Sequence, residues 1–470
     1  MKAKAPTPLA MQPPERSSLR ADFSWSLLGN AVYAGSQLAI LMLLAKLTHP
    51  ELVGQYALGV AIAVPVFWMA NLQLRLALVS DVQEQTHFGH YLSIRLLTTG
   101  LALLIIFAIT RVVGYSRQLS TVILLVGVAQ AIEAISDMFH GRLQQHDRLD
   151  WISKSLMARS GLSALGLTVG VYLTSDLRWG IAGIVFARAI MLLCYDIRER
   201  THGLVAQSKW FFRHEALMPR WNPRTQGELL SCNFRLGILW ALVSLNTALP
   251  RYFIEHALGE RSLGIFSAIA SMRAAGDLVA SSLGLAVFSR LARAYATENL
   301  TKFRSLLSKL LIVGVALGTC GVAVACVAGR EILTLLLRPE YANRAELLPW
   351  LMVVAGFGYM AMSLGTAMTA AKYYDSQIVL FTLTNVGVAA LSYILVPWRG
   401  LMGAVIAMLV GTILQVTGSV VILVMGMRQH ARISQQAPEH YGIPDQGSLE
   451  YWSKPSWAYA TRTLQSKGDE

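Results

Sequence analysis

Apolar residues fall in long runs separated by short polar breaks, at about 23–46, 52–79, 88–112, 119–140, 152–174, 178–197, 228–250, 262–288, 305–328, 345–370, 377–396 and 401–426. Each run is near the ~20 residues that an α-helix needs to cross hydrocarbon. The pattern predicts an all-α polytopic membrane protein of about twelve transmembrane helices. Four runs also carry a polar stripe. On the first, Ser26, Asn30, Tyr33 and Gln37 fall within roughly 60° of one another on a helical wheel. On the second, Pro65 predicts a bend, with Trp68, Asn71 and Arg75 projecting from one face beyond it. On the seventh, Asn233, Gly237, Trp240, Ser244 and Thr247 line up together.

The eighth run, Leu263 to Leu291, is the most informative because Arg273 and Asp277 lie in its middle. Ser267, Ser271, Arg273, Asp277 and Ser281 occupy one half of the helix, while Ile265, Ile269, Met272, Val279 and Leu283 fill the other. A charge at the centre of a membrane helix costs about 2.5–3.5 kcal/mol on insertion scales, so it faces a wet cavity or a partner. Two readings follow. The i,i+4 pair neutralises itself and locks the helix to a neighbour, or Arg273 receives an anionic substrate while Asp277 sets its charge or carries a coupling cation.

Other charges allow the same choice. Arg75 either snorkels to headgroups or meets substrate. Arg235, a turn inside the seventh run and directed away from its polar face, reads first as a snorkelling residue. Glu133 and Asp137 close the fourth run one turn apart, read as a solvated helix end balanced by Arg142 or as a proton-accepting pair. Arg188, in the sixth run, is a lesser cavity candidate than Arg273.

Composition agrees with the membrane reading: of 470 residues 54% are hydrophobic and only 14% charged. The net charge of +13 would suggest nucleic acid in a soluble protein, but the basic residues cluster by side. They crowd before the first run, after the fourth, sixth and eighth runs and in the tail. The opposite loops hold few, among them Arg111, Arg178, Arg251, Arg261 and Arg338. By the positive-inside rule both termini are cytoplasmic, and the charge reflects topology and anionic headgroups rather than DNA. Cys194, Cys232, Cys320 and Cys326 sit in or beside spans without metal-type pairing, and no metal or other cofactor is expected. The phosphate-cradling G-x-x-x-x-G-K-S/T pattern is missing, and no opposite-side loop exceeds about 20 residues, which argues against an ATP-driven pump or an enzyme.

Two internal matches organise the chain. Val53-Gly54-Gln55-Tyr56 corresponds to Leu263-Gly264-Ile265-Phe266 at an offset of 210, and Gly180-Ile181-Ala182-Gly183 to Gly400-Leu401-Met402-Gly403 at 220. Repeated six-helix halves in one orientation predict two bundles about a central cleft, with one rocking on the other. The expected divisions are an N-terminal cytoplasmic segment at 1–21, bundles at 22–197 and 228–426, a basic linker at 198–227 and a tail at 427–470. In the tail, Trp452 and Trp457 are candidates for touching the membrane interface.

The join LTHPELVGQYAL, with Leu47, Pro50, Gly54 and Tyr56, the LGIFSAI opening of the eighth run, and Arg142-Leu143-Gln144-Gln145 carry a resemblance. The late segment TAAKYYDSQIVLFTLTNVGVAALSYILVPWRGLMGAVIA adds Ala371, Asn385, Pro397, Gly400, Gly403 and Ala404. Over about residues 18–426 the chain resembles the polysaccharide transporter branch of the multidrug/oligosaccharidyl-lipid/polysaccharide exporter superfamily, the O-antigen and exopolysaccharide flippases of the bacterial inner membrane.

That resemblance implies translocation of an undecaprenyl-pyrophosphate-linked oligosaccharide by alternating access, through a cationic cleft bordered by the first, second, seventh and eighth helices. Guanidinium groups bind phosphate bidentately. Arg273, Arg75 and Arg235 are therefore candidates for the pyrophosphate, with Asp277 beside the first, and Asn30, Gln37, Trp240 and Ser244 for sugar or headgroup. The implied partners are membrane lipids, H+ or Na+ as coupling ion, and a polysaccharide polymerase with other assembly proteins. Rival readings are a multidrug efflux antiporter of the same superfamily, a flippase for the lipid-linked peptidoglycan precursor, and a non-transporting scaffold of a polysaccharide assembly complex.

Overall fold

A computed structural model describes residues 19–81, 86–197, 218–297 and 299–436. The expected N-terminal segment up to Ser18, most of the basic linker, the tail with Trp452 and Trp457, and the side chain of Ser26 lie outside the described residues.

Every regular element described is helical. The first half contains α1 (Leu19–Leu47), α2 (Pro50–Asn71), α3 (Leu74–Ser80), α4 (Phe88–Val113), α5 (Arg117–Gln145), α6 (Leu149–Thr174) and α7 (Leu177–Ile190), the last extended by a π turn, Met191–Asp196. The second half contains α8 (Pro223–Ala270), a 3₁₀ turn at Ser271–Arg273, α9 (Ala274–Ala296), α10 (Leu300–Leu336), α11 (Pro339–Ala342), α12 (Leu347–Ala370), α13 (Tyr374–Arg399) and α14 (Leu401–Gln436). Residues through Val421 form one compact unit, and the helical segment from Ile422 is described by itself.

Local chemistry sets the helix ends. Pro50, Pro223 and Pro339 occupy first-turn positions, where a missing N–H costs nothing. Ser116 accepts from Leu119 N at 3.2 Å, and Asn299 accepts from Lys302 N at 3.0 Å, capping α5 and α10. Gly114 ends α4 in the left-handed region at φ 74°.

Eleven helical stretches are long and apolar enough to cross a membrane, one of them a 74-residue run, Pro223–Ala296. Gly259, at φ 79° and ψ 175°, breaks that run into two crossings. The expected twelve spans are thus present. Pro65 stays inside α2, and the backbone breaks after it, where Leu72 (φ 47°) and Gln73 (φ 50°) both adopt left-handed backbone and set α3 apart. One expectation needs correction. Arg251 belongs to no loop, because α8 continues unbroken past it to the Gly259 break.

Consecutive spans alternate in direction, so one end of the bundle carries Pro50 and the other Gln144. Lipid removes the hydrophobic drive between helices, leaving close packing and hydrogen bonds to hold them. The repeated glycines supply that packing. Gly54 and Gly264 lie face to face: a Cβ on Gly54 would strike the Glu260 carbonyl, and one on Gly264 the Pro50 carbonyl. Gly183 stands likewise against Gly166 of α6, and Gly403 against the Leu395 carbonyl.

The α2–α8 contact joins the two halves along its length. At the Pro50 end Gln55 Nε2 donates to Glu260 Oε2 at 2.8 Å, Arg261 pairs with Glu51 at 3.2 Å and with Glu340, and Arg338 donates to Thr48 O at 3.1 Å. Midway, the Tyr252 hydroxyl donates to Ala61 O. Further on, Gly237 abuts Leu72 and Met69. The Pro50 end is thus where contacts between the two halves gather.

Candidate functional site

A cavity of about 450 Å³ opens in the first half toward the Gln144 end, lined by Tyr33, Trp68, Asn71, Gln73, Arg75, Arg95, Gln130, Glu133, Asp137 and Gln144 among others. Helix α5 is its hub, because Gln130, Glu133, Asp137 and Gln144 recur at helical spacing along one face. Each carboxylate on that face ties different helices together. Arg75 Nη1 of α3 donates to Asp137 Oδ1 at 2.8 Å, and its Nε and Nη2 reach Gln144 Oε1 at 3.1 and 2.9 Å. Arg95 of α4, only 1% exposed, holds Asn71 Oδ1 and lies 3.7 Å from Asp137 Oδ2.

One turn along, Glu133 accepts from the Tyr33 hydroxyl of α1 and lies 2.6 Å from Arg188 Nη1 of α7, which also donates to Ala129 O at 2.9 Å. Behind these, Asp196, delivered inward by the π turn, accepts from Ser136 and from Ser155 at 2.6 Å, and lies 3.3 Å from His140 Nε2. Arg159 donates to Ser136 Oγ at 3.2 Å, and its guanidinium lies 5.9 Å from the Tyr33 ring centroid. Unpaired charges here would be costly, and each found a counter-charge or an oxygen.

The candidates from sequence divide into three groups. Arg75 lines the cavity, held by Asp137 and Gln144 rather than snorkelling. Trp240 packs on Trp68, which lines the cavity, with ring centroids 5.1 Å apart. Asn30 is exposed on α1, while Gln37 and Ser244 are half-buried. Arg273 and Asp277 stand elsewhere, on the second half: Arg273 Nε and Nη2 donate to Asp277 Oδ2 and Oδ1 at 3.0 and 3.2 Å. The Tyr359 hydroxyl donates to Arg273 O at 3.1 Å. The 3₁₀ turn at Ser271–Arg273 thus marks a tightened point within a span. Arg235 is 68% exposed and lies 3.6 Å from Asp375, outside the cavity.

Sequence reasoning favoured a solvated helix end for Glu133 and Asp137, whereas both line the cavity between arginines. Arg95 was missed altogether. The signal was the polar face of α5, continuous from Gln130 to Gln144, against which an isolated arginine in the apolar third span needed a partner.

No family model matches the chain. It is 25% identical to the capsular polysaccharide biosynthesis protein CapF of Staphylococcus aureus over 401 residues, covering 82% of this chain and 93% of that protein. Among solved structures it is similar to the lipid II flippase MurJ in an inward closed conformation, with a TM-score of 0.66 at 13% identity over 85% of this chain and 87% of that one. It is also similar to an inward-facing multidrug resistance MATE family transporter of the MOP superfamily, with a TM-score of 0.61 at 15% identity over 90% and 97%. The fold is the one these transporters share. It is a multi-pass membrane fold of two helical bundles, and the resemblance in sequence is to a protein of polysaccharide biosynthesis.

Proposed function

We propose that the chain is a flippase that carries an undecaprenyl-pyrophosphate-linked oligosaccharide across the bacterial inner membrane by alternating access, with both termini in the cytoplasm. The observation that carries this reading is the cavity reaching Gln144, with Arg75 and Arg95 sharing one carboxylate, while ion pairs and hydrogen bonds between the halves gather at the Pro50 end. The Gln144 end is then cytoplasmic. A pyrophosphate entering there takes the guanidinium donors that Asp137 and Gln144 now hold, and bidentate geometry favours the exchange. Trp68 and Trp240 offer ring faces to sugar, and Asn30, Gln37 and Ser244 offer hydrogen bonds. Arg235, outside the cavity, would meet the pyrophosphate only on its approach, and Arg273 with Asp277 forms a second charged point. Glu133 and Asp137 are the carboxylates where a coupling H+ or Na+ acts. A polymerase and other assembly proteins take the product onward.

The charge pattern disfavours export of organic cations. Both carboxylates on the cavity wall are already engaged by arginine, so a cation would have to displace a fixed guanidinium.

The test is surface polysaccharide in cells lacking the native copy and complemented with wild type, Arg75→Gln or Trp240→Ala at matched membrane abundance. Loss of polymer, with lipid-linked repeat units retained on the cytoplasmic face, is expected for Arg75→Gln. Normal polymer on deletion of the whole chain, with altered drug sensitivity, would falsify the flippase reading and favour efflux.

A further inference from the structure

At the Gln144 end the α2–α8 seam is fastened by a stretch of chain that belongs to neither helix. Met218 to Asn222, the last residues before α8, lie across the first turns of α4. The Arg220 N–H donates to Gly89 O at 3.0 Å. The Arg220 carbonyl accepts from Ser93 Oγ at 2.9 Å and lies 3.1 Å from His90 Nδ1. Gln226, already inside α8, donates through Nε2 to Ser93 Oγ at 2.8 Å. Ser93 is wholly buried, so its bonds are made away from competing water. Gly89 lets the backbones meet: a Cβ there would lie 2.5 Å from Met218 O and 3.1 Å from Arg220 Cγ. Leu229 and Leu230 continue the contact by packing on the cluster of Phe88, Tyr91 and Leu92.

Little slack separates this fastening from α8. Asn222 caps the helix, accepting from Arg224 N at 3.2 Å, so only Trp221 stands between the bonded Arg220 and the cap. Two fully extended residues reach about 7 Å, less than the roughly 10 Å width of a helix. Pro219 and Pro223 stiffen the segment on both sides. Farther along the seam Gly237 abuts Leu72, Trp240 packs on Trp68 and the Tyr252 hydroxyl meets Ala61 O, before the pairs of the Pro50 end. The seam is bonded from end to end. By contrast, α1 and α9, also on opposite halves, touch only briefly.

We infer that residues 218–226 form a stitch that holds α8 to α4 throughout transport, making the α2–α8 seam the line about which the halves turn. The inference rests on the flippase reading and adds what guides its motion. Gly89, His90 and Ser93 are then positioning residues, and none of them lines the cavity. A latch built from the same bonds would have to release in every cycle.

The experiment uses the full chain with Cys194, Cys232, Cys320 and Cys326 replaced by alanine and with His90→Cys and Arg220→Cys introduced. Cells lacking the native copy are treated with bismaleimidoethane, a short membrane-permeant cross-linker, and new surface polymer is followed by incorporation of labelled sugar. Cross-linking, scored by loss of free thiols, should go to completion and leave polymer equal to that of the cysteine-free chain treated alike. Gly89→Val, which pushes Met218 away, should lower cross-linking, and at matched membrane abundance should lower polymer about fivefold, the scale of one lost hydrogen bond. A Gly-Gly-Ser insertion between Trp221 and Asn222 should lower polymer similarly while Arg220 stays on α4, and it decides the matter should Gly89→Val fail to fold. Polymer lost on cross-linking reveals a latch and overturns the stitch. Full polymer in both slackened variants, or thiols that do not cross-link, overturns it equally. If polymer persists when the whole chain is deleted, the flippase reading falls. The stitch is then decided in nanodiscs by amide hydrogen exchange over the first turns of α8, slow in wild type and fast in Gly89→Val if it holds, alike in both if it does not.

Discussion

The two halves satisfy their buried polar groups in opposite ways. In the first half, ions join helix to helix: Glu133 links α1, α5 and α7, Asp137 links α3, α4 and α5, and Asp196 links α5 and α6 to the π turn. In the second half, hydroxyls and amides bond mostly to their own helix. Thr384 donates to Leu380 O, Ser363 to Tyr359 O and Thr412 to Met408 O, at 2.9–3.0 Å. Asn385, donating to Leu242 O of α8 at 2.9 Å, and Gln377, donating to Gly365 O of α12 at 3.0 Å, are exceptions that cross between helices. Even the ion pair Arg273–Asp277 stays within one span. The first half is therefore cross-braced around its cavity, while the second is held by close packing and can shift with fewer bonds broken.

Removing one brace should have the largest effect. Asp137→Ala leaves Arg95 and Arg75 without their carboxylate, and such a break costs about 3–5 kcal/mol. A lowered unfolding temperature in detergent is the expected result, and an unchanged one would remove the idea of a braced half. Next comes the seam between halves. Gly264→Val cannot fit beside the Pro50 carbonyl, and an overpacking cost of about 1–3 kcal/mol should part the Pro50 end. A cysteine placed by Ser262→Cys should then react roughly tenfold faster with a membrane-impermeant maleimide.

Smaller effects belong to the second half. Asn385→Ala should cost about 1 kcal/mol, one neutral hydrogen bond, seen as a modest fall in unfolding temperature. Least of all, Arg273→Ala or Asp277→Asn should change stability by roughly 0.5 kcal/mol or less, as for other i,i+4 pairs. If the pair serves transport, surface polymer falls in either variant all the same. Normal polymer in both would reduce the pair to an internal tie.

The fold was legible because apolar run length is fixed by bilayer thickness, and the paired glycines Gly54 and Gly264 were visible as a repeat before their contact was known. The site was half legible. Trp68, Asn71 and Arg75 all line the cavity, although the left-handed break at Leu72–Gln73 puts Arg75 on α3 rather than on the helix that periodicity assigned it. Arg95 and Arg188 were obscured because their partners lie 42 and 55 residues away in sequence, Asp137 for one and Glu133 for the other. Helical periodicity reports which residues share a face, and is silent on which face it meets. Arg251 was misplaced for a different reason: an arginine after Pro250 looks like a helix end, yet α8 carries that proline without stopping.

The contact between α2 and α8 also constrains how the chain is made. Tyr252 and Ala61, which meet across it, are separated by 191 residues. At a synthesis rate of about 5–20 residues per second, α2 waits roughly 10–40 s for its partner. During that interval Gly54 and Ala61 face lipid or an insertion chaperone. A helix with so small-sided a face is also a ready docking site for another copy of itself, so the newborn first half must be kept apart from its siblings until the second half arrives.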